Sequence, residues 1–383
     1  MRLLYLTADP GVPVLGHKGA SVHVRELATA LSSFGVEVAV ASPRTEPAGD
    51  SFDVPIALRP LPRVVPEAPE LELRTALEGQ RAAVLKHARA FGAEAIYERY
   101  SLFSDAGVEA AAVLGIPHVL EVNAPLREEA RRFRTLPHPA LAREIEQAVY
   151  GGTGRLLAVS PALKRLLEAE GVEPERIEVV PNAVSPERFG PPRERREPAF
   201  VVGFCGSLKA WHGIEVLLEA CASAIAEEPS IRLEVVGTGP LEHLLRETGL
   251  PKNRLVGHGA IPHAEAIERL RGWDAGVAPY LPLEDFYFSP LKVLEYMAAG
   301  LCPIASALGE IPKLLGDGDR GVLVPAGDAD GLAAAIVGLA RNRRRAVELG
   351  RRARTHVLET HTWEGNAGVV LDALRGRPRE LAA

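Results

Sequence analysis

The chain of 383 residues has three cysteines, Cys205, Cys221 and Cys302, and no Cys-x-x-Cys pair. Three thiols cannot form a disulfide framework, and without paired cysteines a structural zinc site has no ligand set. Long apolar runs are missing too: no stretch reaches the ~18 residues of a membrane-spanning helix. The opening MRLLYLTADPG holds an apolar run too short for a secretory leader, ended by Asp9-Pro10-Gly11. The expectation is a soluble, cytoplasmic protein. A basic excess is also absent. Lys and Arg number 44 against 50 Asp and Glu, a formal charge of −6, which argues against a nucleic-acid partner. Neither the Gly203–Gly213 stretch nor the Val236–Pro240 stretch completes a G-x-G-x-x-G, which weakens a dinucleotide reading, and the absence of a G-x-x-x-x-G-K-[ST] weakens a P-loop reading.

What is present is a regular alternation. Hydrophobic residues make up 47% and charged residues 25%, ordinary values for a globular chain long enough for two domains. The 36 glycines and 31 prolines indicate many tight turns between short elements. Strands are expected at 3–7, 36–41, 57–61, 95–98, 118–122, 156–159 and 177–180. Helices are expected at 21–34, closed by Gly35, and at 70–89 and 127–150. The run Gly190–Pro198 is polar and bracketed by prolines, and reads as a linker. The grammar then restarts, with strands at 200–205, 231–236, 254–256, 275–278, 302–305 and 322–324. Helices follow at 214–227 and 241–248, and a last one at 362–375 before a frayed tail, 376–383. Short apolar runs alternating with helices predict parallel sheets covered on both faces. The fold class is therefore α/β, with two doubly wound Rossmann-like domains facing across a cleft and ligands outside the strands' carboxyl ends.

Four loops each follow a strand and open a helix. The first is Gly16-His17-Lys18-Gly19-Ala20-Ser21, where glycine lets backbone approach a ligand and a helix start offers N–H groups to an anion. The second is Gly203-Phe-Cys-Gly206-Ser207-Leu208-Lys209-Ala-Trp211-His212-Gly213 and the third Val236-Gly237-Thr238-Gly239-Pro240. A flexible turn explains each of these equally well. The fourth, Tyr287-Phe-Ser289-Pro290-Leu291-Lys292-Val-Leu-Glu295-Tyr-Met-Ala-Ala-Gly300, is more specific. Ser289 suits an N-cap and Pro290 the first helical position. Lys292 then falls in the first turn, where the helix dipole disfavours a cation unless an anion is also present. A plain ion pair with Glu295 is the alternative.

Taken in order, these loops resemble family 4 retaining glycosyltransferases of the GT-B fold. The likeness covers nearly the whole chain. It rests on Gly19, Val179-Val-Pro-Asn182-Ala-Val184, Gly206-Ser-Leu208 with Gly213, Val236-Gly-Thr-Gly239-Pro and Gly257-His-Gly-Ala-Ile261-Pro. It ends with Ser289–Gly300, Pro303 and Gly309-Glu310. The resemblance implies an enzyme moving a sugar from a nucleotide-diphosphate sugar, UDP- or GDP-linked, to a hydroxyl acceptor with no metal or other cofactor. The acceptor would be a glycan, a lipid-linked glycan or a small natural product. Residues 1–190 would form the acceptor-side domain and 198–360 the donor-binding domain, with a helix in 361–383 crossing back to the first. Glu295 would hold the ribose hydroxyls. Backbone near Leu291, Pro290, Ser289, Gly206, Ser207, Gly239 and Gly19 would face the diphosphate and sugar, and Val256 to Ile261 would border the base.

This sequence departs from the family pattern at three places. Tyr287 stands where the family's first glutamate contacts the donor sugar. Ser207 and His212 replace two cations that neutralise the leaving diphosphate, a charge Lys209 and Lys292 would supply, with His212 assisting if protonated. Asn123 replaces a histidine at the end of the 118–122 strand; it can bond a sugar hydroxyl but cannot act as a base. Arg99 and His17 are the acceptor-side candidates. No carboxylate pair suits double displacement. The alternatives are a nucleotide-sugar 2-epimerase on the same fold and a catalytically lapsed nucleotide-sugar binder. Asp317-Gly-Asp319 and Asp328-Ala-Asp330 read as a turn and a helix start rather than metal ligands, and His258 with His263 has poor ligand spacing. Trp211, Trp273 and Trp363 read as packing residues. Arg131-Arg132-Phe133-Arg134 is a solvated face, or else a patch for an anionic lipid at the inner membrane face or for a charged acceptor. Arg341–Arg345 reads as solvated.

Overall fold

The computed structural model describes residues 1–191, 198–283 and 286–376. Two compact units emerge. One takes Met1–Pro181, Tyr287–Ser289 and the chain from Trp363 onward; the other takes Asn182–Phe286 and Pro290–Thr362.

The first unit is built on seven parallel strands: β1 (Arg2–Thr7), β2 (Glu37–Ser42), β3 (Ala57–Pro60), β4 (Ala95–Arg99), β5 (His118–Val122), β6 (Arg155–Ala158) and β7 (Ile177–Val179). Their spatial order is β3-β2-β1-β4-β5-β6-β7. Leu3, Leu4, Tyr5 and Leu6 are all wholly buried, the signature of a central strand covered on both faces. Helices α1 (Gly19–Ser33), α2 (Glu70–Phe91), α3 (Ala106–Leu114), α4 (Leu126–Phe133), α5 (Pro139–Gly152) and α6 (Pro161–Ala169) connect them. Leu4, Leu6 and Ile96 share a core with Val84 and Ala88 of α2 and Ala106 and Ala110 of α3.

One helix was expected over 127–150; the chain forms α4 and α5 instead. Pro137 and Pro139 interrupt it, Pro139 opens α5, and His138 between them takes φ 43°. The division between units also falls earlier than the polar run at 190–198. Val184 bridges to Thr362 and donates its N–H to the His361 carbonyl at 2.9 Å, which ties the segment after Pro181 to the second unit. Residues 192–197 of that run, and 377–383 of the expected tail, lie outside the described residues.

The second unit has six parallel strands: β8 (Phe200–Cys205), β9 (Ile231–Val236), β10 (Leu255–Gly259), β11 (Ala275–Ala278), β12 (Cys302–Ser306) and β13 (Val322–Val324), ordered β10-β9-β8-β11-β12-β13. Its helices are α7 (Pro186–Phe189), α8 (Ile214–Glu227), α9 (Leu244–Glu247), α10 (His263–Leu270), α11 (Leu291–Ala298), α12 (Ile311–Leu314), α13 (Ala329–Arg341) and α14 (Arg343–Thr360). A final helix, α15 (Trp363–Leu374), packs on α1 and β5 of the first unit. The core of the second unit joins Phe200, Val202 and Phe204 to Leu217 and Cys221 of α8 and Ile336 of α13. Trp273 and Trp363 are buried packing residues, as their sequence context suggests. Asp328 caps α13, its carboxylate accepting from the Gly331 N–H at 2.8 Å.

Two helix boundaries differ from expectation. The segment 241–248 contributes only the single turn α9, because the Leu241 N–H is drawn to the Leu208 carbonyl at 3.0 Å. Helix α11 starts at Leu291, not at Ser289. Pro290 has ψ 75°, outside the helical basin, and Ser160 fixes the preceding segment by donating its hydroxyl to the Tyr287 carbonyl at 2.6 Å.

Candidate active site

Ligands of doubly wound sheets bind where the strand order reverses, beyond the carboxyl ends of the strands. In the second unit that point lies between β8 and β11. Phe204 lies next to the last residue of β8, Tyr280 follows β11, and Lys292 from the first turn of α11 sits over both. Its Nζ is 4.5 Å from the Phe204 ring and 4.8 Å from the Tyr280 ring. Lys292 is buried, and among the described residues its Nζ has no hydrogen-bond partner. Burial pulls its pKa down to about 7, against the opposing pull of Cys205 and Glu295. The Lys292–Glu295 ion pair is not formed. Glu295 instead takes His263 of α10, with Nε2 and Oε1 2.9 Å apart.

Around Lys292 the lining is backbone. Gly206 has φ +148°, and a Cβ there would stand 3.3 Å from the Lys292 Nζ. Gly237 has φ +128°, and a Cβ there would stand 2.0 Å from the Gly206 carbonyl oxygen. Only glycine fits such approaches. Hydrogen bonds from Gly206 N–H to Val236, Leu208 N–H to Thr238 and Gly237 N–H to Gly259 zip the three loops together at 2.8–3.0 Å. Gly239 lies against the Leu208 backbone. Ser207 is half-buried, and its carbonyl is paired with the His212 Nδ1. His212 packs against Phe204, Trp211 and Tyr280. Burial and the nearby Lys292 pull its pKa down to about 3, so it is neutral at pH 7 and adds no cation. Lys209 lies over the Trp211 ring, its Nζ at 4.7 Å. Val256 lies within β10 and Ile261 just beyond it, both half-buried. Beside β10 opens a cavity of about 590 Å³ lined by Gly237, Leu245, Arg246, Lys252, Leu255 and Gly257 among others.

In the first unit the reversal lies between β1 and β4. Arg99 ends β4, and Asn123 follows β5. Glu121 carries the partner charges: its Oε1 is 2.7 Å from His23 Nε2, and its Oε2 is 3.7 Å from Arg99 Nη1. The loop before Gly19 is clamped from below. Buried Arg25 donates to the carbonyls of Val14 at 3.0 Å and Gly16 at 2.6 Å, and to Asp50 at 2.8 Å. His17 Nδ1 is 3.0 Å from the same Asp50 carboxylate. Tyr287, expected at the donor, is placed in the first unit's hydrophobic cluster, where its hydroxyl donates to Glu129 of α4. The basic run of α4 is ion-paired: Arg131 and Arg132 with Glu128, Arg134 with Glu129. No helix among the described residues is long and apolar enough to cross a membrane.

A family model described as Glycosyltransferase Family 4 matches residues 17–188, and one described as Glycosyl transferases group 1 matches 199–342. The chain belongs to glycosyltransferase family 4. The enzyme is 28% identical over 397 residues to the D-inositol 3-phosphate glycosyltransferase of Paenarthrobacter aurescens, covering 96% of this chain and 94% of that one. Its fold matches sucrose-phosphate synthase from Thermosynechococcus elongatus, at TM-score 0.74 and 22% identity over 98% of both chains. It also matches Anabaena Alr3699/HepE in complex with UDP and glucose, at TM-score 0.74 and 17% identity over 98% and 99%. The glycosyltransferase thus has the two Rossmann-like domains of the GT-B class.

Several side chains of this glycosyltransferase escape sequence reasoning. The spacing of His258 and His263 speaks against metal ligation but does not reveal that each takes a glutamate, His263 with Glu295 and His258 with Glu234 at 3.0 Å. His23, Arg25 and Glu121 sit on apolar stretches, where a lone ionisable residue is a signal for a buried pair. Asp50 and Glu129 carry no local signal at all.

Proposed function

We propose that the enzyme transfers a sugar, with retention, from a nucleotide-diphosphate sugar to a hydroxyl acceptor without a metal. The observation that carries this is the buried Lys292 amine at the second unit's strand-order reversal, without a hydrogen-bond partner among the described residues and lined by Gly206 and its neighbours. A buried cation without a partner is costly, and a diphosphate supplies the missing charge. The N-terminus of α11 points the same way, since anions are favoured at helix starts. When the bond from the sugar C1 to the phosphate oxygen breaks, negative charge grows on the leaving diphosphate. Lys292 meets it with a group already in place, which lowers the barrier. The acceptor hydroxyl forms the new bond to C1 and passes its proton to a leaving phosphate oxygen on the same face, so configuration is kept. Glu295, oriented by His263, suits the ribose hydroxyls, and the β10 edge suits the base.

UDP is the favoured nucleotide, because Anabaena Alr3699/HepE is described with UDP and glucose bound. The Paenarthrobacter relative's name points to a cyclitol-type acceptor. The site of action would be cytoplasmic. The test is a thermal-shift panel with UDP, GDP, ADP and dTDP, each with and without EDTA. A ligand at 100 times its dissociation constant stabilises by about 2.7 kcal/mol. One nucleotide is expected to raise the midpoint equally in both conditions. A shift abolished by EDTA would overturn the metal-free mechanism, and no shift with any nucleotide would overturn the donor assignment.

A further inference from the structure

The crevice between β8 and β11 has a side chain in its floor that nothing described so far uses. The ladder joining these strands is short, Val202 to Ala275 and Gly203 to Gly276, although β8 runs on to Cys205 and β11 to Ala278. Successive backbone amides of a strand turn to opposite neighbours, and each needs a partner when buried. Phe200 and Gly206 give theirs toward β9, to the carbonyls of Ser230 and Val236. Val201 gives its amide the other way, to the Asp274 carboxylate at 2.7 Å. Cys205, in phase with Val201, therefore turns its N–H toward β11, where the ladder has ended. The hydroxyl of Tyr296 accepts it at 2.9 Å and donates onward to the Val277 carbonyl at 3.3 Å.

Tyr296 is wholly buried on α11, and glycine makes the room for it. A Cβ on Gly276 would stand 2.4 Å from the Tyr296 ring, as one on Gly203 would stand 1.8 Å from the Trp273 ring. The two rings meet edge-on at 6.5 Å. The last rung of the ladder is thus glycine against glycine under two aromatic rings. Past it, the strand ends are joined through one phenol. That phenol lies one turn after Lys292 on the same face of α11, next in sequence to Glu295. On the other side of the crevice, Cys205 leads into Gly206, whose backbone stands against the Lys292 Nζ. Lys292 has no hydrogen bond of its own among the described residues, so its place is set by the helix that carries it and the rings of Phe204 and Tyr280. Tyr296 ties that helix to both strand ends.

We propose that Tyr296 is a positioning residue for sugar transfer: its hydroxyl, wedged between the Cys205 amide and the Val277 carbonyl, holds the parted ends of β8 and β11 and sets Lys292 where it meets the donor diphosphate. The wedge itself stands on geometry; its part in donor binding rests on the reading of Lys292 above.

The test is Tyr296→Phe, which removes one oxygen and keeps the ring over Gly276. The full chain labelled with 15N-cysteine gives three backbone signals, from Cys205, Cys221 and Cys302. In the variant the Cys205 amide should exchange with solvent about tenfold faster or more, as for a lost hydrogen bond, with the other two unchanged. UDP is then titrated into wild type, Tyr296→Phe, Lys292→Met and the double variant, at pH 6 and pH 9. Of the other titratable groups facing Lys292, burial pushes the Cys205 thiol and the Tyr280 phenol up and His212 down to about 3, so all three stay neutral across this range. The fourth, Glu295, is held by His263 in every variant. Tyr296→Phe should weaken UDP by about tenfold at pH 6, less at pH 9, and should add nothing to Lys292→Met. A purely structural role would lower the melting temperature and leave the pH contrast as in wild type. An unchanged Cys205 amide, an unchanged affinity at pH 6, or an equal loss in the Lys292→Met background would each overturn the proposal. Wild type offers a reading that survives a variant that fails to fold: its Cys205 amide, past the end of its ladder, should be protected about a hundredfold or more, and an unprotected one would overturn the wedge. UDP bound by wild type and equally by Tyr296→Phe removes the positioning role alone. A wild type that binds no UDP removes the donor reading, and the role in donor binding with it.

Discussion

Each sheet reverses its strand order once, and each places ionisable side chains there, but the charges are treated in opposite ways. In the first unit Arg25 is answered by Asp50 and two carbonyls, and Glu121 by His23 and, at longer range, by Arg99. In the second, Lys292 lies over two aromatic rings with no hydrogen-bond partner among the described residues, and its pKa falls to about 7. Answered charges hold the first unit's loops in place. An unanswered buried charge costs stability by itself and is useful only when a ligand brings the opposite charge. One reversal point is thus a scaffold with a small polar gap; the other holds a buried amine open, as the proposed diphosphate site requires.

The contrast can be broken most forcefully at Arg25. Arg25→Met takes the guanidinium from two loop carbonyls and leaves Asp50 with His17 alone, and should lower stability to urea by about 3–5 kcal/mol, as breaking buried pairs does. A loss below about 1 kcal/mol would show that the clamp is not structural. Lys292→Met should do the reverse. UDP release during turnover should fall by about 10²–10³-fold, the usual effect of losing a transition-state charge donor. Its stability should rise relative to wild type at low pH. The sign follows from the pKa: folding lowers it from the ordinary 10.5 to about 7, so the cost of holding the charge is full below pH 7 and fades toward pH 10.5. Equal stability of the two proteins at pH 6 would contradict the unpartnered state. A smaller effect sharpens the comparison. Glu295→Gln keeps the shape but weakens charge-assisted bonds to the ribose, worth about 1.5–3 kcal/mol, so KM for donor should rise with kcat little changed. A fall in kcat alone would move Glu295 from binding to chemistry.

Both sheets were legible in the sequence because buried parallel strands are written as short apolar runs, and β8, β9, β11 and β13 begin where expected. The helix errors share a cause. The α4–α5 break, the short α9 and the late start of α11 are each set by a long-range bond or by proline, which periodicity cannot register. Within the site, Lys292 and the glycines around it were readable, since a cation in a first helical turn and glycines after strands are local signals. The direction of Tyr287 was not. Its position in the motif suggests the donor, yet its hydroxyl turns to Glu129 on α4, far away in sequence. His263 and Arg25 were missed for the same reason: their partners, Glu295 and Asp50, lie beyond any sequence window.

The most direct measurement is isothermal titration of UDP into the wild type and the Lys292→Met variant at pH 6 and at pH 9. If Lys292 is the charge that receives the diphosphate, wild type should bind more tightly at pH 6, where the ammonium is formed, than at pH 9. The variant should bind weakly at both, with the pH difference removed. Equal affinity of the two proteins at pH 6 would contradict the account.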